Sequence, residues 1–258
     1  MVQRRLGNTG LAVSPIGLGT AKLGRNTDVK YPAPFELPSD KQLEELLQAA
    51  LDWGVNLVDT APAYGESERR LGRFIAAQRN RWVLCTKCGE NYQNGHSTYD
   101  FSAGALSRSL DESLRRLQTD YIDVLLLHSN GRDLEILQQS DAVETLLRMR
   151  AGGKARAVGI SAKTTEGIAA AVPALDVVMA PFSERDAALE PALVAAQQRG
   201  LGILAIKGLF SGHLEAAAAI EFVLCQPFID SLIVGTINVA HLREAVAIAE
   251  KVSGGPRH

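Results

Sequence analysis

Asp59, Tyr64, Lys87 and His128 carry the side chains of this 258-residue chain best suited to moving a proton, and each stands where a short apolar run gives way to polar sequence. The runs are Leu57-Val58-Asp59, Trp82-Val83-Leu84-Cys85-Thr86-Lys87 and Val124-Leu125-Leu126-Leu127-His128, with Tyr64 in the loop after the first. An ammonium beside a phenol supports the phenolate, and a carboxylate keeps that ammonium charged and in place. Such a set suits protonating a carbonyl oxygen. Singly, each residue has an ordinary reading: Asp59 as a turn cap, Tyr64 as a loop aromatic, Lys87 as a strand-end lysine reaching water, His128 as a satisfied core imidazole. The chemistry therefore needs a scaffold that gathers the strand ends.

The surrounding sequence predicts that scaffold. Strand-like runs fall at Pro15–Leu18, Val55–Asp59, Trp82–Lys87, Ile122–His128, Ala155–Ser161, Val177–Ala180, Gly202–Lys207 and Ser231–Val234. Helix-like stretches follow at about Asp40–Trp53, Ser67–Gln78, Ser102–Leu117, Asp141–Ala151, Thr164–Ala171, Leu189–Arg199, Ala216–Cys225 and Val239–Lys251. Leu106, Leu110, Leu114 and Leu117 recur at helical spacing opposite Arg108, Glu112 and Arg115. Ser39 and Asp40 signal a helix start, Gly54 and Gly200 helix ends. Strict β/α alternation without a composition break points to one α/β domain over residues 1–258, a closed (β/α)₈ TIM barrel. A doubly wound open sheet would want a third glycine after Gly17-Leu18-Gly19-Thr20, which is missing. Met1–Ala12, centred on Gly7-Asn8-Thr9-Gly10, predicts a short β-hairpin that plugs the barrel's amino-terminal end. Alternation places Leu57 and Asp59 on one face, as it does Val83, Cys85 and Lys87, and Val124, Leu126 and His128. If those faces line the interior, the ionisable groups meet at the top of the barrel.

Composition narrows the function class. A net charge of −2 and a pI near 6.2 disfavour nucleic acid or an anionic membrane as partner. Three cysteines in a chain this long argue against a disulfide framework and for a reducing compartment. With no secretory signal in Met1–Gly24 and no apolar run of membrane-spanning length, the expected location is the cytoplasm. Cys85-Thr86-Lys87-Cys88 spells a C-x-x-C, but its cysteines should face opposite ways and no second pair exists. The five histidines show no ligand spacing, so no metal is expected. No heptads mark the surface helices, which leaves a monomer as the default.

At the catalytic stretches the chain resembles the aldo-keto reductases. The matching segments are Leu57–Gly65 with Glu68 and Leu71-Gly72, then Cys85-Thr86-Lys87, Asp120–His128, Gly153–Ser161 and Ile233–Thr236. The resemblance implies NAD(P)H-dependent reduction of a small-molecule aldehyde or ketone. Tyr64 would be the general acid, Lys87 would ease loss of its proton, Asp59 would hold Lys87, and His128 would orient the carbonyl oxygen. It implies a nucleotide lying across the barrel mouth, past Gly19, Thr20 and Asp59, with Ser161 gripping the nicotinamide amide. Three positions depart from the family: Ala162 replaces an asparagine, Met179 a glutamine, and Ile206 an aromatic that stacks on the nicotinamide.

Two loops suit phosphates, through backbone N–H groups and a helix amino terminus: Lys207-Gly208-Leu209 onward, and Gly235-Thr236-Ile237-Asn238. Both are also readable as plain turns. His241 takes the place of the family's 2′-phosphate arginine and Ala245 that of a partner asparagine; NADP is expected, with NAD possible. A short connection after the seventh strand and a mouth lined by Lys22, Tyr92, Asn130 and Arg132 favour small polar carbonyls. Two rivals stay open. One is a Schiff-base lyase using Lys87 or Lys207. The other is a non-catalytic nicotinamide sensor, motivated by the altered cradle.

Overall fold

The computed structural model describes residues 1–27, 34–93 and 95–254. The chain opens with an antiparallel ribbon of β1 (Arg4–Arg5) and β2 (Ala12–Val13). Barrel strands β3 (Ile16–Gly19), β4 (Leu57–Asp59) and β5 (Val83–Cys88) follow, then a second antiparallel ribbon of β6 (Glu90–Gln93) and β7 (His96–Tyr99). The barrel continues through β8 (Ile122–His128), β9 (Ala155–Ser161), β10 (Val177–Pro181), β11 (Gly202–Ile206) and β12 (Ser231–Gly235). Pairing of β12 with β3 closes a ring of eight parallel strands. This is the (β/α)₈ barrel the alternation predicts.

The strands form where they do because both of their faces are buried. Outward-pointing Val58, Leu84, Leu125 and Leu127 pack beneath the helices, while Leu57, Val83, Cys85, Val124 and Leu126 fill the lumen. Around the ring lie α2 (Asp40–Asp52), α3 (Ser67–Ile75), α4 (Ala103–Leu117), α6 (Ala142–Ala151), α7 (Thr165–Ala171), α8 (Glu190–Gln198), α9 (Ala216–Leu224) and α10 (Val239–Gly254). Two short helices, α1 (Ala21–Gly24) and α5 (Asp133–Gln138), fall in loops where no helix is predicted. A reciprocal cap starts α2: Ser39 Oγ accepts from Gln42 N at 3.2 Å, and Gln42 Oε1 from Ser39 N at 2.8 Å.

Most element ends shift by one to three residues from expectation, and two of the shifts have a visible cause. The α-helix predicted to Gln78 stops at Ile75, and Ala76–Arg81 winds on as a 3₁₀ segment. Arg79 explains the change: its guanidinium donates to Trp82 O, Tyr121 O and Asp123 at 2.9, 3.0 and 2.7 Å, tying the segment to the barrel's lower edge. Strand β11 ends at Ile206, not Lys207, because Lys207 turns the chain with φ 58°.

The amino-terminal ribbon is the plug. Leu6, Leu11 and Val13 are buried against Leu57, Val83, Val177 and Leu204 at the foot of the lumen. Leu6→Ala should therefore cost about 2–5 kcal/mol, as emptying a core leucine site does. Urea unfolding of both proteins measures this, and a loss below about 1 kcal/mol would show a ribbon merely resting on the barrel. No helix among the described residues is long and apolar enough to cross a membrane.

Candidate active site

Three of the four proton-handling residues meet around one nitrogen. Lys87 Nζ lies 2.6 Å from Asp59 Oδ1, 2.9 Å from Thr60 O and 3.2 Å from Tyr64 Oη. An ammonium has three N–H donors, and here three acceptors surround it. The Lys87 and Asp59 side chains are only 1% and 4% exposed. Burial by itself works against charge on Lys87, but the Asp59 carboxylate outweighs it, aided by Tyr64, and pushes the lysine pKa above its ordinary range. Lys87 is an ammonium.

Strand register explains the meeting. Asp59 is level with Cys85, so Lys87 stands one inward-facing position higher on β5 and reaches back to the end of β4. That end is fixed from behind: Thr20 Oγ1 donates to Asp59 O at 2.8 Å, and Ser67 Oγ lies 2.8 Å from Thr20 Oγ1. Glu68, quoted in the family match, is fully buried; it accepts from Thr86 at 2.7 Å and pairs with Arg116 at 3.3 Å. Tyr64 ends a 3₁₀ turn of Pro62–Tyr64. The turn can lie against α1 only because Gly24 and Gly65 lack side chains: a Cβ on Gly24 would sit 2.3 Å from Tyr64 O.

His128 closes β8, level with Ser161 on β9. Its ring meets Tyr64 edge-on, centroids 6.1 Å apart at 86°. Its Nδ1 lies 2.7 Å from Oε2 of Glu90, a residue the sequence reading missed. Glu90 opens the β6–β7 ribbon, whose signal was present in Asn94-Gly95, the dipeptide that most favours a tight hairpin.

The residues expected to hold a nucleotide divide. Ser161, Ile206, Lys207 and Leu209 stand at the carboxyl ends of β9 and β11, Ser161 being 5% exposed. Met179 and Thr20 are completely covered and present no side-chain surface to a ligand, and Gly208 is packed against Leu232 and Val223. Gly235 and Asn238 are exposed before α10, where Asn238 Oδ1 accepts from Ala240 N at 2.8 Å and Thr236 Oγ1 from Asn238 N at 3.0 Å. Gly19 and Gly235 are level, and a Cβ on Gly19 would come within 3.4 Å of Gly235, so a smooth backbone floor runs between these strand ends. His241 is exposed on the first turn of α10, Ala245 is buried in the core, and the Arg243 guanidinium lies 5.2 Å over the Trp53 ring. The fit is partial: an apolar, small-residue floor with Ser161 as its polar anchor.

At the mouth, the Arg25 guanidinium stacks 3.4 Å over Tyr92, and Lys22 lies 5.1 Å over Phe35. A cavity of about 590 Å³ lies at the opposite end of the barrel, beside Leu11, Asn56, Trp82 and Arg156, far from this chemistry. Cys85 faces the lumen and Cys88 the helices, as alternation requires. Burial pushes both thiols up, Cys88 to about 12, which keeps them from thiolate chemistry. Among the described residues no group of three or more His, Cys, Asp or Glu is placed to hold a metal.

The sequence model of the Aldo/keto reductase family matches residues 15–218, from the first barrel strand into α9. The chain belongs to this family. This aldo-keto reductase is 32% identical over 242 residues to L-galactose dehydrogenase of Arabidopsis thaliana, covering 88% of this chain and 72% of that protein. It is 32% identical over 233 residues to D-threo-aldose 1-dehydrogenase of a Pseudomonas species, covering 80% of this chain and 68% of the relative. A solved structure assigned to the aldo-keto reductases, from Pseudomonas aeruginosa, superposes with a TM-score of 0.90 at 43% identity, covering 97% of this chain and 96% of the other. The family is one of oxidoreductases that use nicotinamide cofactors and interconvert carbonyls and alcohols.

Proposed function

We propose that this aldo-keto reductase reduces a small polar aldehyde or ketone, or oxidises the matching alcohol, with Tyr64 exchanging the proton at the substrate oxygen. The observation that carries this reading is the 3.2 Å contact between Tyr64 Oη and a Lys87 ammonium anchored by Asp59. A bound nicotinamide nucleotide supplies or takes the hydride. The residues do the rest. Lys87 stabilises negative charge on the phenolic oxygen, Asp59 keeps Lys87 charged and in place, and His128 meets the substrate beside Tyr64. Ser161 and the small-residue floor hold the nicotinamide, and the loops after β11 and β12 take the phosphates.

For Lys87 the Schiff-base alternative requires a neutral amine, and the Asp59 carboxylate holds it in the opposite state; for Lys207 the trapping experiment below decides. The names of the two curated relatives are sugar dehydrogenases, which supports a polyhydroxylated substrate. Following NADPH and NADH loss separately with short and sugar-like aldehydes tests the reading. Tight nucleotide binding with no turnover across the panel would instead identify a redox sensor. A borohydride-trapped substrate adduct would identify a lyase.

The family resemblance favours NADP(H), with NAD(H) possible, and α10 bears on how firmly a 2′-phosphate is held. Arg243 is drawn over Trp53, which leaves His241 to meet a 2′-phosphate, and an imidazole offers that group less than the planar fork of an arginine. NADP(H) is the proposed partner. His241→Arg should then raise the NADPH-over-NADH ratio of kcat/KM by about tenfold, the effect of one charge-assisted contact. An unchanged ratio would place the 2′-phosphate elsewhere.

A further inference from the structure

Two neighbouring residues at the start of α3, Ser67 and Glu68, hold opposite halves of the setting of Lys87, and both are completely covered. Ser67 acts on the acceptor side. Thr60 Oγ1 donates to Ser67 Oγ at 3.1 Å, and Ser67 Oγ donates on to Thr20, whose Oγ1 and O lie at 2.8 and 3.0 Å. Thr20 Oγ1 in turn donates to Asp59 O at 2.8 Å. One hydrogen from each hydroxyl satisfies the whole chain. It starts on Thr60 and ends on Asp59, so it closes through the peptide that joins them. Those two residues supply two of the three acceptors around Lys87 Nζ, the Asp59 carboxylate and Thr60 O.

Glu68 acts on the donor side. Its Oε1 accepts from Thr86 Oγ1 at 2.7 Å, and Thr86 directly precedes Lys87 on β5. Oε2 faces the Arg116 guanidinium of α4 at 3.3 Å, which anchors the carboxylate from behind. Alternation turns Thr86 away from the lumen, so Glu68 grips the strand of Lys87 from outside the barrel. We propose that Ser67 and Glu68 are positioning residues that fix the separation of Lys87 Nζ from Tyr64 Oη. Their bearing on catalysis rests on the reading of Tyr64 as the proton-exchanging group. An ammonium in contact with a phenol favours the ionised phenol, and that support fades as the two move apart. A supporting shell of this kind holds reacting groups to the fraction of an ångström that the chemistry needs.

Titration of the phenol measures the separation. The charged and titratable groups about the pair are Asp59 from β4, Cys85 on β5 and His128 from β8. Glu90 of β6 lies beside the histidine, and Arg25 after α1 donates to Ala63 O at 3.4 Å. None of these is altered when Ser67 or Thr86 loses its hydroxyl, so a changed midpoint reports displacement. Tyrosine labelled with ¹³C at Cζ follows the ionisation in the full chain, and Tyr64→Phe identifies the signal among five tyrosines. In Ser67→Ala and in Thr86→Val the Tyr64 midpoint should rise by about one pH unit, a tenfold gain in proton affinity and the scale of one charged contact weakened. Thr86→Ser keeps a hydroxyl for Glu68 and should titrate as wild type does. A purely structural role for α3 would lower the folded fraction and leave the midpoint in place. Should Ser67→Ala not fold, Thr20→Val, equal in shape, breaks the same chain at its last link. An unmoved midpoint in either deletion, or an equal rise in Thr86→Ser, overturns the proposal.

Kinetics supply the second readout. Alcohol oxidation uses the phenolate as base, so with NADP⁺ and sugars the rising limb of kcat/KM against pH should move up with the Tyr64 midpoint. A limb that stays in place while the midpoint moves would part Tyr64 from the chemistry and overturn the catalytic role of the shell. Absence of turnover with every sugar and aldehyde would reject the oxidoreductase reading, while the titration would still decide what Ser67 and Glu68 do to Lys87.

Discussion

Tyr64→Phe should lower kcat/KM for aldehyde reduction by about 10²–10⁴-fold, the usual contribution of a positioned general acid. The substitution deletes one oxygen and keeps the ring that meets His128 edge-on. Lys87 loses a contact at 3.2 Å but retains Asp59 and Thr60, so the pair beneath stays intact. Nucleotide binding and thermal midpoint should accordingly stay near wild type. Steady-state kinetics with a fluorescence titration of NADPH separate the two effects. Activity within a few-fold of wild type would remove Tyr64 from the chemistry.

The second large effect concerns stability. Asp59→Ala would leave the Lys87 ammonium, 1% exposed, without a counter-charge. Breaking a buried pair in this way costs about 3–5 kcal/mol. Removing the cation as well, in Asp59→Ala/Lys87→Met, should recover much of the loss, because a methionine fills the lysine's volume and leaves no charge to bury. Denaturant unfolding of the two single variants and the double measures the coupling. All three variants should be inactive, so the recovery reports on the fold alone. Simple additivity of the single losses would show that the two groups do not depend on one another.

What the sequence made legible was set by periodicity. The eight strands are legible because each is largely apolar on both faces, and alternation along β4, β5 and β8 puts Asp59, Lys87 and His128 in a single space. Short elements were not legible by the same means. The four-residue α1 and six-residue α5 are too brief for a hydrophobic period to show, and both owe their existence to tertiary contacts. Asp133 illustrates this: it starts α5 while its carboxylate accepts from Lys163 N, Thr164 N and Thr164 Oγ1 across the neighbouring loop.

Glu90 escaped for a different reason. Its place beside His128 depends on the β6–β7 ribbon folding back toward the end of β8, a relation between segments that no local pattern encodes. Cofactor positions carried over from the family were the least secure, because a strand-end residue can be matched in sequence and still be wholly covered, as Met179 and Thr20 are.

The ribbon of Leu6, Leu11 and Val13 adds a last layer beneath a barrel already filled with side chains. Between the Asp59–Lys87 pair and the ribbon the lumen is filled by Leu57, Val83, Cys85, Val124 and Leu126. A chain trimmed to begin at Pro15 would keep all four proton-handling side chains yet bare Leu57, Val83, Val177 and Leu204 at the foot of the lumen to water. Because the same strands carry Asp59 and Lys87 at their upper ends, a segment remote from the reacting atoms helps keep their mounting rigid.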